Sequence, residues 1–400
     1  MRRLLLALVL VAGTIEQARA LDQGGSVETT ASGYPEGDPA FQAWFRATYG
    51  LEAEPRPWLF VKLAAIFELD SHGEIRRDRL YDETDRDVAR APLRFRDLAL
   101  GFRAGAVTIV IGRQRLTWKR ATFVNAADNL SPRDWTDPLD EARLSPWAVD
   151  ATWEQGRWLV EGALVPRYAP SRLPQLNGRW FEAPAPGVEL AWGDAPFPPV
   201  SWDTLQGAVR GGFRGPRGEM RLSYFRGFDD APRITPVVTT LDRSFAKLEV
   251  TGFDGEILLG AFIVRAEAGY FHFPGGADDG YGLAQLELEW ARGSWRVIAG
   301  AGDAIGGDPS SSAPASLDLA FLPAVFLHVG HGETTEWQVA FDATVGTNEF
   351  DHLVRVSGSY PFAGQLRVGG EYDLIHGEPD TFWGRWRAND RLRLFLRYDY

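Results

Sequence analysis

Residues 391–400, RLRLFLRYDY, decide the fold. Leu392, Leu394, Leu396, Tyr398 and Tyr400 take every second position, and Arg391, Arg393, Arg397 and Asp399 fill most places between. Successive side chains of a strand point to opposite faces, so this segment has one apolar face and one strongly charged face. In a water-soluble sheet the charged face would meet bulk solvent. In a transmembrane barrel the apolar face meets lipid and the charged face meets an aqueous lumen.

The pattern recurs upstream. In 282–290, Ala284, Leu286, Leu288 and Trp290 alternate with Gln285, Glu287 and Glu289. In 335–345, Trp337, Val339, Phe341 and Val345 alternate with Glu336, Gln338 and Asp342; in 364–374, Leu366, Val368 and Tyr372 alternate with Gln365, Arg367 and Glu371. Further strands are expected at 219–226, 245–252, 350–360 and 381–387. A soluble sandwich would also show longer, fully apolar runs from its buried core. Here nearly every strand pairs apolar residues with Arg, Glu, Asp or Gln. The expected fold is therefore all-β: a transmembrane antiparallel β-barrel of about 16–18 strands, a size that leaves an aqueous channel. The 15 Trp, 24 Phe and 11 Tyr suit the aromatic girdles of such a barrel.

The N-terminus has the order of a secretory signal over 1–20: Arg2 and Arg3, an apolar run from Leu4 to Ala12, then Ala18-Arg19-Ala20. Residues 21–56 read as a periplasmic lead-in with one short helix. Asp38 would cap it, Pro39 suits its first turn, Gly50 would end it, and Phe41, Trp44 and Phe45 would line one side. The barrel is expected over 57–400. Asp254-Gly255, Arg292-Gly293-Ser294 and 214–218 read as short turns on one rim; 70–92, 119–147, 166–186, 227–244 and 304–315 read as longer loops on the other. No other stretch is long and apolar enough for a spanning helix. The chain has no Cys, which excludes disulfides and thiolate metal sites, and its net charge of −12 argues against a nucleic-acid partner.

Enzymatic signatures are absent: there is no phosphate-cradling glycine loop with Lys-Ser/Thr and no Gly-x-Ser-x-Gly elbow. The six His (72, 272, 328, 331, 352 and 376) show no ligand spacing, and His328 and His331 read as turn residues, so no metal site, cofactor or catalytic residue is expected. The densest constellation is basic. Arg355, Arg367, Arg385, Arg387, Arg391, Arg393 and Arg397 fall on the lumen phase of the last strands, and Glu287, Glu289, Glu336 and Asp342 on that of earlier ones. Two opposed walls of unlike charge would orient a dipolar solute.

The second constellation is 112–147, GRQRLTWKRATFVNAADNLSPRDWTDPLDEARLSPW. Folded inward, it would form a constriction loop in which Arg113, Arg115, Lys119, Arg120 and Arg133 face Asp128, Asp134, Asp137, Asp140 and Glu141, with Trp118 among them. Gly112, Arg113, Gln114, Trp118, Asn125, Pro132, Arg133 and Asp134 resemble the segment after an early strand in alginate-export-type outer-membrane porins and a related porin family. Lys119 and Ser131 replace that pattern's usual Gly and Asn. The terminal aromatic Tyr400 likewise resembles the insertion signal of bacterial outer-membrane barrels. The resemblance implies a signal-exported outer-membrane channel for polar or anionic solute, with polysaccharide export as its cargo. Its implied partners are outer-membrane lipid, the barrel-assembly machinery and a periplasmic polysaccharide-export component. Two alternatives stand beside it: a diffusion porin for small anions, and a non-conducting anchor of a trans-envelope complex plugged by the N-terminal segment.

Overall fold

A computed structural model describes residues 20–37, 39–140, 142–176, 178–181, 189–275, 280–306, 322–332 and 336–400. The signal at the N-terminus, Asp38 and Glu141 lie outside these, apart from Ala20. Among the described residues, 18 antiparallel strands form one closed sheet. They are β1 Leu21–Gly33, β2 Phe41–Arg56, β3 Leu59–Asp70, β4 Leu93–Ala104, β5 Val107–Arg113 and β6 Trp147–Gln155. Then come β7 Trp158–Val165, β8 Gln206–Gly215, β9 Gly218–Phe228, β10 Lys247–Leu259, β11 Phe262–His272 and β12 Tyr281–Arg292. The last six are β13 Trp295–Ile305, β14 Ala324–His331, β15 Gln338–Gly346, β16 His352–Ala363, β17 Leu366–His376 and β18 Arg391–Asp399.

Each strand pairs with its sequence neighbours, and β18 closes the sheet on β1, with Leu392 opposite Gly33 and Asp399 opposite Ser26. Closure leaves no row of unpaired backbone groups, which hydrocarbon could not satisfy. Connections alternate in length: tight turns such as Gly293 (φ 58°) and Gly364 (φ 56°) join strand ends on the rim that also carries both chain ends. Long segments such as 71–92, 114–146 and 166–205 join the other rim.

Burial is inverted relative to a soluble protein. On β12, Leu286 is 57% exposed while Glu287 is 1% exposed; on β18, Leu394 is 56% exposed while Arg391 is 1%. Apolar side chains point out and charged ones in. Trp58, Trp158, Trp295, Trp337, Tyr360 and Tyr400 ring the short-turn rim as exposed aromatics, at the level where lipid tails give way to headgroups.

Several sequence expectations are corrected. The lead-in and its helix are β1 and β2: Phe41, Ala43, Phe45 and Ala47 alternate with Gln42, Arg46 and Thr48 along a strand paired on both sides, so 21–56 is wall and leaves no plug. Asp254-Gly255 lies inside β10, not at a turn. The strand expected at 381–387 is replaced by a 3-10 helix, Gly384–Asn389, so Arg385 and Arg387 sit on an outer-rim segment, exposed, rather than on the lumen wall. Arg385 lies 6.0 Å from the Phe382 and Trp386 ring centres. Glu336 is likewise exposed, in the connection before β15.

The seam joins the first and last strands of the chain. Gly25 and Tyr400 exchange two backbone hydrogen bonds of 3.0 Å, and the Tyr400 hydroxyl donates to the Thr48 carbonyl at 3.1 Å. A Cβ at Gly25 would stand 2.6 Å from the Tyr400 hydroxyl oxygen. Gly25→Val should therefore destabilise the barrel by about 1–3 kcal/mol, read as a lowered thermal unfolding midpoint in detergent. Gly33→Ala, where nothing lies within 4 Å, should stay within about 0.5 kcal/mol of wild type.

Candidate functional site

The segment 114–146 leaves the rim between β5 and β6 and folds into the lumen. Its sequence builds its own turns. The side-chain oxygen of Asn125 accepts from Asp128 N–H at 3.0 Å, Asp134 from Thr136 N–H at 3.2 Å, and Asp137 from Leu139 N–H at 3.0 Å. These are local side-chain-to-backbone bonds of the kind that favour turns over strands. Trp118, Val124 and Leu130 then pack against Phe225, Val250, Phe271 and Leu283 on the inner face of β9–β12.

That wall also fastens the segment by its backbone. Glu267 accepts from Ala121 N–H at 2.7 Å and from Arg120 N–H; Glu287 accepts from Thr122 and Phe123 N–H at 2.5 and 3.1 Å; Gln285 accepts from Val124 N–H at 3.0 Å. Arg120 reaches Glu219 at 2.6 Å and Asp254 at 2.5 Å, and the Trp118 indole donates to Glu161 at 2.6 Å. On the far side, Asp137 meets Arg391 at 2.5 Å and Arg393 at 3.3 Å, Asp140 meets Arg393 at 3.0 Å, and Arg355 donates to the Leu139 carbonyl at 3.1 Å. The segment thus spans the lumen from β9–β12 to β16–β18.

A third anchor lies between the loops. Asp134, fully buried, pairs with Arg90 at 2.9 Å, Arg172 at 2.6 Å and Arg94 at 3.6 Å, tying 114–146 to 71–92, to 166–205 and to the start of β4. Burial pushes this carboxyl up, but the three guanidinium groups outweigh it and hold it well below the usual carboxylate range. Burial likewise opposes the ionisation of Asp140, but Arg393 and Arg391 favour it more strongly, so this carboxyl is also held low. Arg113 binds Asp85 and lies 3.3 Å from the Tyr81 hydroxyl, while Asp128 pairs with Arg143 at 3.1 Å. Lys119 bonds to the Thr122 carbonyl, Arg133 stacks at 4.9 Å over Trp135, and Arg115 stays exposed.

The charge that sequence reading assigned to two opposed walls is largely paired. His328, Asp342, Arg355, Asp373 and Arg391 are successive cross-strand partners from β14 to β18. Three of the four steps are contacts of 2.6–2.8 Å: His328–Asp342 at 2.7 Å, Arg355–Asp373 at 2.6 Å and Asp373–Arg391 at 2.8 Å. Glu289 pairs with Arg265 at 2.6 Å and Arg296 at 2.9 Å, Arg397 with Asp399 at 2.7 Å, and Arg367 with the Ser359 hydroxyl at 2.8 Å. Glu161, Asp254 and Glu267, which grip the segment, escaped sequence reading as a set. Asp254 beside Gly255 read as a turn, and the sequence does not say which inward carboxylates meet another segment. His328 is no turn residue: it faces the lumen from β14, and His331, on the opposite face, lies between Trp295 and Trp337.

An eyelet of about 340 Å³ lies between the segment and β14–β16. Thr122, Phe123, Arg133 and Trp135 line one side; Phe326, Asp342, Thr344 and Arg355 line the other; Phe382 and Trp383 close the outer end. Phe123 and Phe326 stack at 4.7 Å across it.

No protein-family model and no curated protein matches the chain. Solved barrels do. OccK2 (OpdF) of Pseudomonas aeruginosa, solved with glucuronate, is 10% identical with a TM-score of 0.55, covering 96% of this chain and 98% of that one. OpdK of the same species, solved with vanillate, and a BenF-like porin from Pseudomonas fluorescens Pf-5 are each 11% identical with TM-scores of 0.54, covering 96% of this chain and 99% of theirs. At such identity the likeness shows a shared porin fold, and the alginate-export type suggested by the sequence gains no support.

Removing Asp134 would take from buried Arg90 its paired carboxylate and leave Arg94 to Glu68 and Arg172 to Asp85. Asp134→Ala should cost of order 3–5 kcal/mol and loosen 114–146, read as faster proteolytic cleavage of that segment and noisier single-channel current. A depressed carboxylate stabilises above its unfolded value and loses that contribution as pH falls through its folded value. The wild-type segment should therefore stay locked down to about pH 4 and loosen only below it.

Proposed function

We propose that the chain is an outer-membrane diffusion channel for small polar solutes, with anions favoured and the segment 114–146 as its fixed constriction. The observation that carries this reading is the eyelet: inside a closed apolar-surfaced barrel, an opening beside the inward segment bears Arg133, Arg355 and Asp342 next to aromatic faces. The porin fold shared with the Occ-type barrels supports it, as do the glucuronate and vanillate named with two of them. Passage is passive: side chains replace part of a solute's hydration, and none binds strongly enough to hold it. Outer-membrane lipid and the barrel-assembly machinery are the partners this reading needs, and residues 1–20 would be its export signal.

Polysaccharide export is disfavoured. A cavity of about 340 Å³ sits at the small end of the roughly 300–1,000 Å³ typical of small-molecule pockets, and the segment that narrows it is fastened on three sides. The purified chain in planar bilayers should conduct, with a reversal potential favouring chloride over potassium. Arg133→Glu should shift that potential toward cations, and Arg397→Glu, at the inner mouth, should shift it less. A folded barrel without conductance would defeat the proposal and favour the anchor alternative.

A further inference from the structure

Sequence spacing separates His352 from His376, yet the sheet sets them side by side. His352 opens β16 and His376 closes β17, and they are direct cross-strand partners. Both belong to the outward phase, since the alternate residues Arg355 and Asp373 face the lumen, and both stand at the rim of long loops where the apolar belt ends. Their ring centres lie 5.2 Å apart with planes 38° from parallel. His352 is half-buried and His376 exposed, so both are open to ions from water. The Nδ1 of His352 lies 3.4 Å from the Phe350 carbonyl oxygen. A proton held there leaves the Nε2 lone pair free, which is the usual way a ligating imidazole is oriented.

We infer that His352 and His376 form a two-imidazole site for a borderline divalent transition-metal ion on the outer rim of the barrel. Two nitrogens at about 2.0–2.1 Å from one ion stand about 3–3.5 Å apart, within reach of rings so placed by small rotamer adjustments. Imidazole pairs select Cu²⁺, Ni²⁺ or Zn²⁺ over Mg²⁺ and Ca²⁺, which prefer oxygen. Among the described residues no group of three or more metal-ligating side chains converges, so water fills the remaining positions. Asp351 and Asp390, the nearby carboxylates, are engaged by the N–H groups of Trp383 at 2.6 Å and Ile375 at 2.7 Å. The site is separate from the eyelet, and its existence does not depend on conduction.

The test uses the untagged, full-length barrel in detergent, stripped of metal and titrated with Cu²⁺ alone. Wild type should bind one ion at micromolar or tighter affinity at pH 7.5, with the electron paramagnetic resonance splitting of two equatorial nitrogens. His352→Gln and His376→Gln, both surface changes, should each weaken binding at least about tenfold and lose one nitrogen, while His331→Gln should leave both readouts unchanged. Millimolar binding in wild type, or single variants that bind like wild type, would overturn the inference.

Discussion

A backbone group in hydrocarbon has no water to bond, and everything else in this molecule follows from that constraint. An open sheet would present a row of unpaired N–H and C=O groups to lipid, so the sheet has to close, and it closes where Ser26–Gly33 meets Leu392–Asp399. Closure forces one face of every strand toward lipid and the other toward the lumen. The period-two alternation of leucine with arginine is the sequence's answer to that division.

Turning charge inward creates a second demand. Charged side chains drawn from bulk water into a crowded lumen need partners, and the protein supplies them in two ways. Neighbouring strands pair in a ladder that runs from His328 to Arg391. The inward segment supplies the rest: Asp137 and Asp140 meet the arginines of β18, while Glu267 and Glu287 satisfy its backbone amides. Constriction and charge pairing are thus one arrangement, and the eyelet lies between the segment and β14–β16.

The barrel was legible because one rule, alternate apolar and charged, repeats along nearly every strand. It failed where a residue serves two purposes. Trp44 interrupts the alternation of β2 with a large inward ring, held 4.6 Å from His72 and under Arg90, and so Phe41, Trp44 and Phe45 mimicked a helical face. Asp254-Gly255 has the composition of a turn, yet Asp254 is a lumen residue that grips Arg120. Trp383 and Trp386 gave 381–387 a strand-like look, whereas they bury together over Leu139 and Ile375. The inward course of 114–146 was weighed from its charges, but its partners were beyond reach, because they are set by which strands the sheet brings opposite it.

Lipid covers one face of each strand and water the other. Nitroxide labels placed singly from 392 to 398 in lipid vesicles measure this directly through their collision rates with oxygen and with a water-soluble nickel complex. Labels at 392, 394, 396 and 398 should favour oxygen, and those at 393, 395 and 397 should favour nickel or be shielded from both. Uniform access to nickel along the strand would mean that no face of it meets lipid.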